Sequence, residues 1–146
     1  MAIRKNLEDV LERIDKAKAL SGRQDAGPRL MAVTKTQTFQ TVQEAYDAGL
    51  RLFGENRVQE AADKFSFLPK GSEVHLIGHL QRNKVRQVPG LFSAVHSIDS
   101  ARTARALESA LSASPGTAGL EASPASNSAR KPHTDALDIL LEVNTS

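Results

Sequence analysis

Five apolar runs in this chain end on residues able to do chemistry: Lys35, then Glu55 and Asn56, then His79 and Gln81, then His96, Ser97 and Asp99, then Asn144. The first is the most informative, because "LMAVTKTQ" stays apolar through Val33 and stops at Thr34 and Lys35. An uncharged lysine amine attacks a carbonyl to give a Schiff base, and apolar walls or a neighbouring cation favour the uncharged form. A lysine after a strand is ordinarily a solvated end, so the residue alone leaves both readings of Lys35 open. Asn56, in "FGEN", suits a helix cap, and a capping amide at such a position can still turn toward a ligand.

In "HLIGHLQRNK" the pair His75 and His79 has the i, i+4 spacing of a metal site, but that spacing needs a helix and here a strand breaks at Gly78. A metal is therefore not expected. Gly78 itself reads either as a close backbone approach or as a plain turn. Arg82, Lys84 and Arg86 are basic residues interleaved with polar ones, ordinarily a solvated helix face, and no neighbouring aromatic residue would stack a base.

The elements that must position these residues follow from periodicity. Ile3, Leu7, Val10, Leu11, Ile14 and Ala17 fall at helical spacing, with Ser21 and Gly22 as a stop. A strand at 30–34 leads to a helix near 39–48, with Thr41 to Glu44 as a capping box and Gly49 as the stop. "LRLFGEN" reads as a second strand, followed by a helix capped by Asn56 with Val58, Ala61, Ala62 and Phe65 on one face. "EVHLIG" is a third strand, "NKVRQV" a short helix, and "LFSAVHS" a fourth strand. Ala101 to Leu111 is then a helix capped by Asp99 or Ser100. "ALDILLEVNTS" is a fifth, strongly apolar strand, entered after a Ser, Ala, Pro and Gly-rich segment at 112–134 that reads as a disordered surface insert. Strands alternating with helices imply a parallel sheet, either doubly wound or a (β/α)8 barrel of the TIM type, and in the barrel the strand ends share the face on which active sites lie.

Composition narrows the classes. The chain has 146 residues and a formal charge of +2, enough for one domain with a core and too mild a basic excess to choose between partners. The absence of cysteine excludes disulfides, thiol catalysis and Cys-ligated metal sites. No continuous apolar run spans a membrane, and the first twenty residues lack the apolar centre of a secretory signal, so a cytoplasmic location is expected. Neither the dinucleotide nor the Walker glycine pattern follows any strand.

In order along the chain, "AVTKTQ", "FGENRVQE", "HLIGHLQRNKV", "VHSIDS" and "LLEVNTS" resemble the successive strand motifs of the pyridoxal phosphate homeostasis proteins, relatives of the barrel domain of bacterial alanine racemases. The resemblance covers nearly all of the chain outside the insert. It implies a pyridoxal 5'-phosphate (PLP) cofactor held as a Schiff base on Lys35, with Asn56 near the cofactor ring or phosphate and His79, Ser97 and Asn144 lining the pocket. It further implies a role in intracellular PLP homeostasis without established turnover, with PLP-dependent apoenzymes as recipients.

Two alternatives stand beside it. A racemase-like enzyme needs acid/base groups on opposite faces of the substrate carbon, and the one tyrosine, Tyr46, lies on a core-facing helix stripe. A cofactor-free interaction or nucleic-acid-binding module rests only on the basic 82–86 segment. The sequence departs from the family pattern at Val74, where Trp is usual, in the long insert, and at Ser146, where a barrel of about 250 residues would continue. Residues 1–146 are accordingly expected to be the N-terminal portion of a single PLP-binding barrel domain, truncated after strand five, with phosphate ligands in the missing part and open sheet edges prone to self-association.

Overall fold

The computed structural model describes residues 2–22, 27–65, 71–113 and 137–142. Helix α1 (Ala2–Ser21) precedes β1 (Ala32–Val33), α2 (Phe39–Asp47), β2 (Leu52–Glu55), α3 (Val58–Phe65) and β3 (Glu73–Leu76). A 3-10 helix (Arg82–Gln87), β4 (Ala94–Ile98), α4 (Ala101–Ala113) and β5 (Asp138–Leu141) complete the order. All neighbouring strands are parallel, in the order β1-β2-β3-β4-β5.

That order decides between the two architectures. A doubly wound sheet reverses direction at a switch point, whereas right-handed crossovers that always step the same way put every helix on one face. The described sheet is therefore an arc of barrel type, with helices outside. Register defines its two faces. Ala32, Phe53 and Val74 align in one row, and Glu55, Leu76, Val95 and Ile139 in another; both rows face the helices. Between them Val33, Gly54, His75, Ala94 and Asp138 align on the opposite face.

The apolar core lies between strands and helices. Phe53, Val74, Leu76, Val95 and Ile98 pack with Val42 and Ala45 of α2, Ala61 and Phe65 of α3, Val85 and Val88 of the 3-10 turn, and Leu107 of α4. Phe53 is fully buried, and its ring lies 5.7 Å from that of Phe65. Helix α1 contributes less than its periodicity suggests: only Leu7 is buried, and Val10 and Leu11 remain exposed. Tyr46 is half-buried against the core and carries the Arg51 guanidinium 3.9 Å above its ring.

Several boundaries differ from the sequence expectation. The α2 cap is Thr38, whose hydroxyl accepts from the Thr41 amide, so Thr41 lies inside the first turn. Asn56 does not cap α3, because the helix starts one residue later and Arg57 takes the cap position, its carbonyl accepting from Ala61. Of the two candidates for α4, Ser100 is the cap, accepting from the Thr103 amide. Strand β1 is two residues long in place of five. Strand β5 is exposed throughout, despite its apolar sequence, because only β4 pairs with it among the described residues. Ser112 and Ala113 belong to α4; the rest of the 112–134 insert lies outside the described residues. No helix among the described residues is long and apolar enough to cross a membrane.

Phe53→Ala removes the largest buried ring of the sheet and leaves Phe65 without its partner. The substitution is expected to cost about 3–5 kcal/mol of stability, read as a lower denaturant midpoint with the slope unchanged.

Candidate functional site

Lys35 stands where β1 gives way to a turn. The Thr34 amide still donates to the Gly54 carbonyl at 3.0 Å, extending the ladder one residue, and the Gln37 amide returns to the Thr34 carbonyl at 3.0 Å. Lys35 and Thr36 are thus the two central residues of a tight turn. Thr36 has φ 64°, a left-handed conformation that costs a β-branched residue energy and persists only where surroundings over-determine it. The Lys35 side chain is exposed, and no described residue bonds its amine.

Those surroundings are a buried polar cluster under the turn. Lys64 of α3, with its side chain 9 % exposed, donates to the Thr34 carbonyl at 2.6 Å, to Glu55 Oε1 at 3.0 Å and to Glu60 Oε1 at 2.6 Å. Its three N–H groups are all committed. Glu55 is fully buried and also accepts from the Thr34 hydroxyl at 2.7 Å, while its Oε2 has no hydrogen-bond partner among the described residues. Glu60 accepts from the Thr36 amide, and its carboxyl is held below its ordinary value first by the Lys64 bond and then by that amide. Glu55 is therefore a structural anchor beneath the sheet, and not one of the open strand-end groups.

The next three strand ends are stitched together. A Cβ on Gly78 would come within 2.7 Å of the Asn56 Cα, so only glycine lets these backbones lie so close. Of the two readings of Gly78, the close approach is the one realised. The Gly78 carbonyl in turn accepts from the buried Ser97 hydroxyl at 2.6 Å. Asn56 is half-buried, two residues beyond Gly54. His79 is exposed and its Nδ1 lies 3.4 Å from an Asp99 carboxylate oxygen.

His79 and Asp99 lie between two open cavities of about 600 and 680 Å³. The smaller is also lined by Ile77, His96, Ser97 and Glu142, the larger by Gln81, Arg82 and Thr103. Lys35 and Asn56 line neither. The structure thus joins Asn56 to Ser97 through Gly78, sets His79 on the smaller cavity with Ser97, and keeps Lys35 at its own strand end. Asn144 lies outside the described residues.

His96 is not a strand-end group. It sits inside β4, with its Nε2 3.0 Å from Nδ1 of His75 on β3, so one ring donates and the other accepts. Glu73 lies 3.9 Å from His75 and is itself paired with Arg29 at 2.8 Å. Burial lowers the His75 pKa from 6.5, the neighbouring His96 adds to the shift, and Glu73 opposes it. Among the described residues no cluster of three or more His, Cys, Asp or Glu side chains could hold a metal.

The sequence reading missed Lys64. The Glu60 to Lys64 spacing of four on a helix signals an ordinary surface pair; that the lysine turns inward depends on where α3 lies against β1 and β2.

A barrel-type parallel arc with a lysine at the end of its first strand is the class that this geometry defines. No family model matches the chain. It is 33% identical to the pyridoxal phosphate homeostasis protein of Vibrio cholerae over 150 aligned residues, covering 99% of this chain and 56% of the relative. It is 42% identical to that of Escherichia coli K12 over 106 residues, covering 70% and 45%. Among solved structures it matches PipY of Synechococcus elongatus with PLP bound, at TM-score 0.55 and 36% identity, covering 68% of this chain and 48% of that one. The crystal structure of an unknown protein from Bifidobacterium adolescentis matches at TM-score 0.69 and 32% identity, covering 76% and 50%. In sequence and fold the chain corresponds to the N-terminal part of the pyridoxal phosphate homeostasis proteins. It spans about half the length of the curated relatives it matches.

The lowered His75 pKa fixes a sign. Between the folded value and 6.5 the unfolded chain binds the proton that the folded chain refuses, so stability falls as pH drops below about 6.5. Replacement of His75 by Asn is expected to flatten this limb of a stability-versus-pH curve, and an unchanged slope would remove His75 as its origin.

Proposed function

We propose that the chain binds PLP and takes part in its homeostasis, holding the cofactor as a Schiff base on Lys35. The observation that carries this reading is the exposed amine at the end of β1, on a turn fixed from beneath, in a chain that matches pyridoxal phosphate homeostasis proteins and a PLP-bound structure. When bound, PLP supplies an aldehyde with which a lysine amine condenses, releasing water.

The chain's own residues supply placement. The turn from Thr34 to Gln37 presents Lys35 beyond the ladder. Asn56, half-buried and pressed against Gly78, offers an amide with donor and acceptor atoms on the neighbouring strand end. Ser97 donates a hydrogen bond to the Gly78 carbonyl, so its part is to hold that seam. His79, tied to Asp99, borders the adjoining cavities, where a polar group of the cofactor or of a recipient would meet it. The donor set thus fits an aldehyde cofactor with a polar ring.

The proposed role is carriage of PLP and its delivery to PLP-dependent apoenzymes, without turnover. Tyr46 packs against the core beneath Arg51, near the end of α2 remote in sequence from the Lys35 turn, which does not favour it as a second acid/base group. An α-proton exchange assay with amino acids checks this part: exchange at an enzymatic rate would replace carriage with catalysis.

Incubation with PLP, borohydride reduction and peptide mapping test the covalent assignment. Phosphopyridoxyl is expected chiefly on Lys35, and Lys35→Ala is expected to leave only the weak labelling shared by other exposed lysines. Equal labelling of all exposed lysines in the unaltered chain would overturn the assignment.

A further inference from the structure

The two peptide groups that flank the Lys35 Cα are both held by side chains of one helix. The carbonyl before it, that of Thr34, accepts from Lys64 Nζ at 2.6 Å, and the amide after it, that of Thr36, donates to Glu60 Oε1. Lys64 and Glu60 are bonded to each other at 2.6 Å, one turn apart on α3, so the two grips are a single unit. A third contact ties the unit to β2: Lys64 also holds Glu55, which accepts from the Thr34 hydroxyl.

An ordinary turn has no need of such a device. One backbone bond, from Gln37 to Thr34, already closes it. The additional bonds instead fix the two peptide planes whose orientation sets the Cα–Cβ direction of Lys35, and they hold Thr36 in a left-handed conformation that a β-branched residue would otherwise leave. Fixing a backbone while leaving its side chain unbonded defines where the amine can reach.

We propose that Glu60 and Lys64 form a backbone clamp that positions Lys35 for condensation with its aldehyde cofactor. This rests on the PLP reading above. Glu60 and Lys64 are positioning residues: they act through the Thr34 and Thr36 peptides and touch no reacting atom. The clamp belongs to α3, so movement of that helix relative to β1 would be transmitted to the lysine.

Glu60 is the residue to alter, since it lies at the partly exposed end of the cluster and its loss leaves the Lys64–Glu55 pair in place. Glu60→Gln keeps an acceptor oxygen for the Thr36 amide, whereas Glu60→Ala does not. Two readouts on the unaltered chain and both variants are needed: exchange of the Thr36 amide proton without cofactor, and the ratio of phosphopyridoxyl on Lys35 to that on the other exposed lysines.

In Glu60→Ala the Thr36 amide is expected to exchange about tenfold faster and the Lys35 ratio to fall by about the same factor, as loss of a hydrogen bond to a charged group implies. Glu60→Gln is expected to retain most of both. A purely structural role would move exchange but not the labelling ratio, so an unchanged ratio in Glu60→Ala overturns the clamp while the cofactor assignment stands. An unprotected Thr36 amide in the unaltered chain overturns it as well. Protection of Thr36 with no Lys35 preference in the unaltered chain overturns the cofactor reading, and the positioning role with it.

Discussion

A lysine ammonium in a nearly dry site binds together three separate pieces of this chain. Lys64 reaches from α3 to the carboxylate of β2 and to the carbonyl that ends β1, with Glu60 on its own helix as the third acceptor. Two ions out of water are costly, and geometry must offset that cost with a full set of bonds. Every proton of the ammonium is used, and one oxygen of Glu55 is doubly occupied. The other oxygen, Oε2, is buried without a hydrogen bond among the described residues, so the arrangement is not an optimised stabiliser. A hydrophobic packing of similar volume would serve stability as well, which points to geometry as what the pair supplies.

That geometry sits at one end of a sheet whose two faces have different chemistry. The helix-facing rows hold nearly all of the large buried residues, and they set the spacing between strands and helices. Apart from Val33, the row that runs through Gly54, His75 and Ala94 to Asp138 carries small and polar residues. Met31 and Ile77 fill the space over Gly54, where a Cβ would come within 2.8 Å of the Met31 sulfur. The histidine pair and the Arg29–Glu73 pair occupy the same side, so most of the polar groups on this face stand in bonded pairs.

The alternation of strands and helices was legible because each strand is a short apolar run and each helix places its apolar residues three or four apart. The strand-end position of Lys35 followed from the abrupt stop after Val33. Periodicity alone left open the path of each crossover, and the sequential order of strands was legible only through the resemblance to a barrel family. Asn56 was misplaced as a cap because Asn is favoured there, yet α3 starts one residue later and Arg57 takes the position with its backbone alone. Glu55 and His96 look like strand-end polar groups in sequence; one faces the helix layer and the other faces a second histidine. Their roles depend on strand register, which brings residues about twenty positions apart into contact. Strand β5 shows the converse: its apolar residues suit a buried strand, and burial depends on neighbours that its own sequence does not encode.

The two lysines near the β1 end show why residue type alone cannot identify a nucleophile. Lys64 and Lys35 share a side chain and a neighbourhood, since one holds the backbone from which the other projects. Lys64 is nearly sealed from solvent and has all three N–H groups directed at oxygen atoms, so no carbonyl carbon can approach its nitrogen without breaking a bond of the cluster. Lys35 is exposed, with an amine that no described residue engages. An electrophile therefore meets the lysine that the turn presents and not the one that supports it. Of these two amines only that of Lys35 is open to approach, and that division depends on which face of α3 turns toward the sheet.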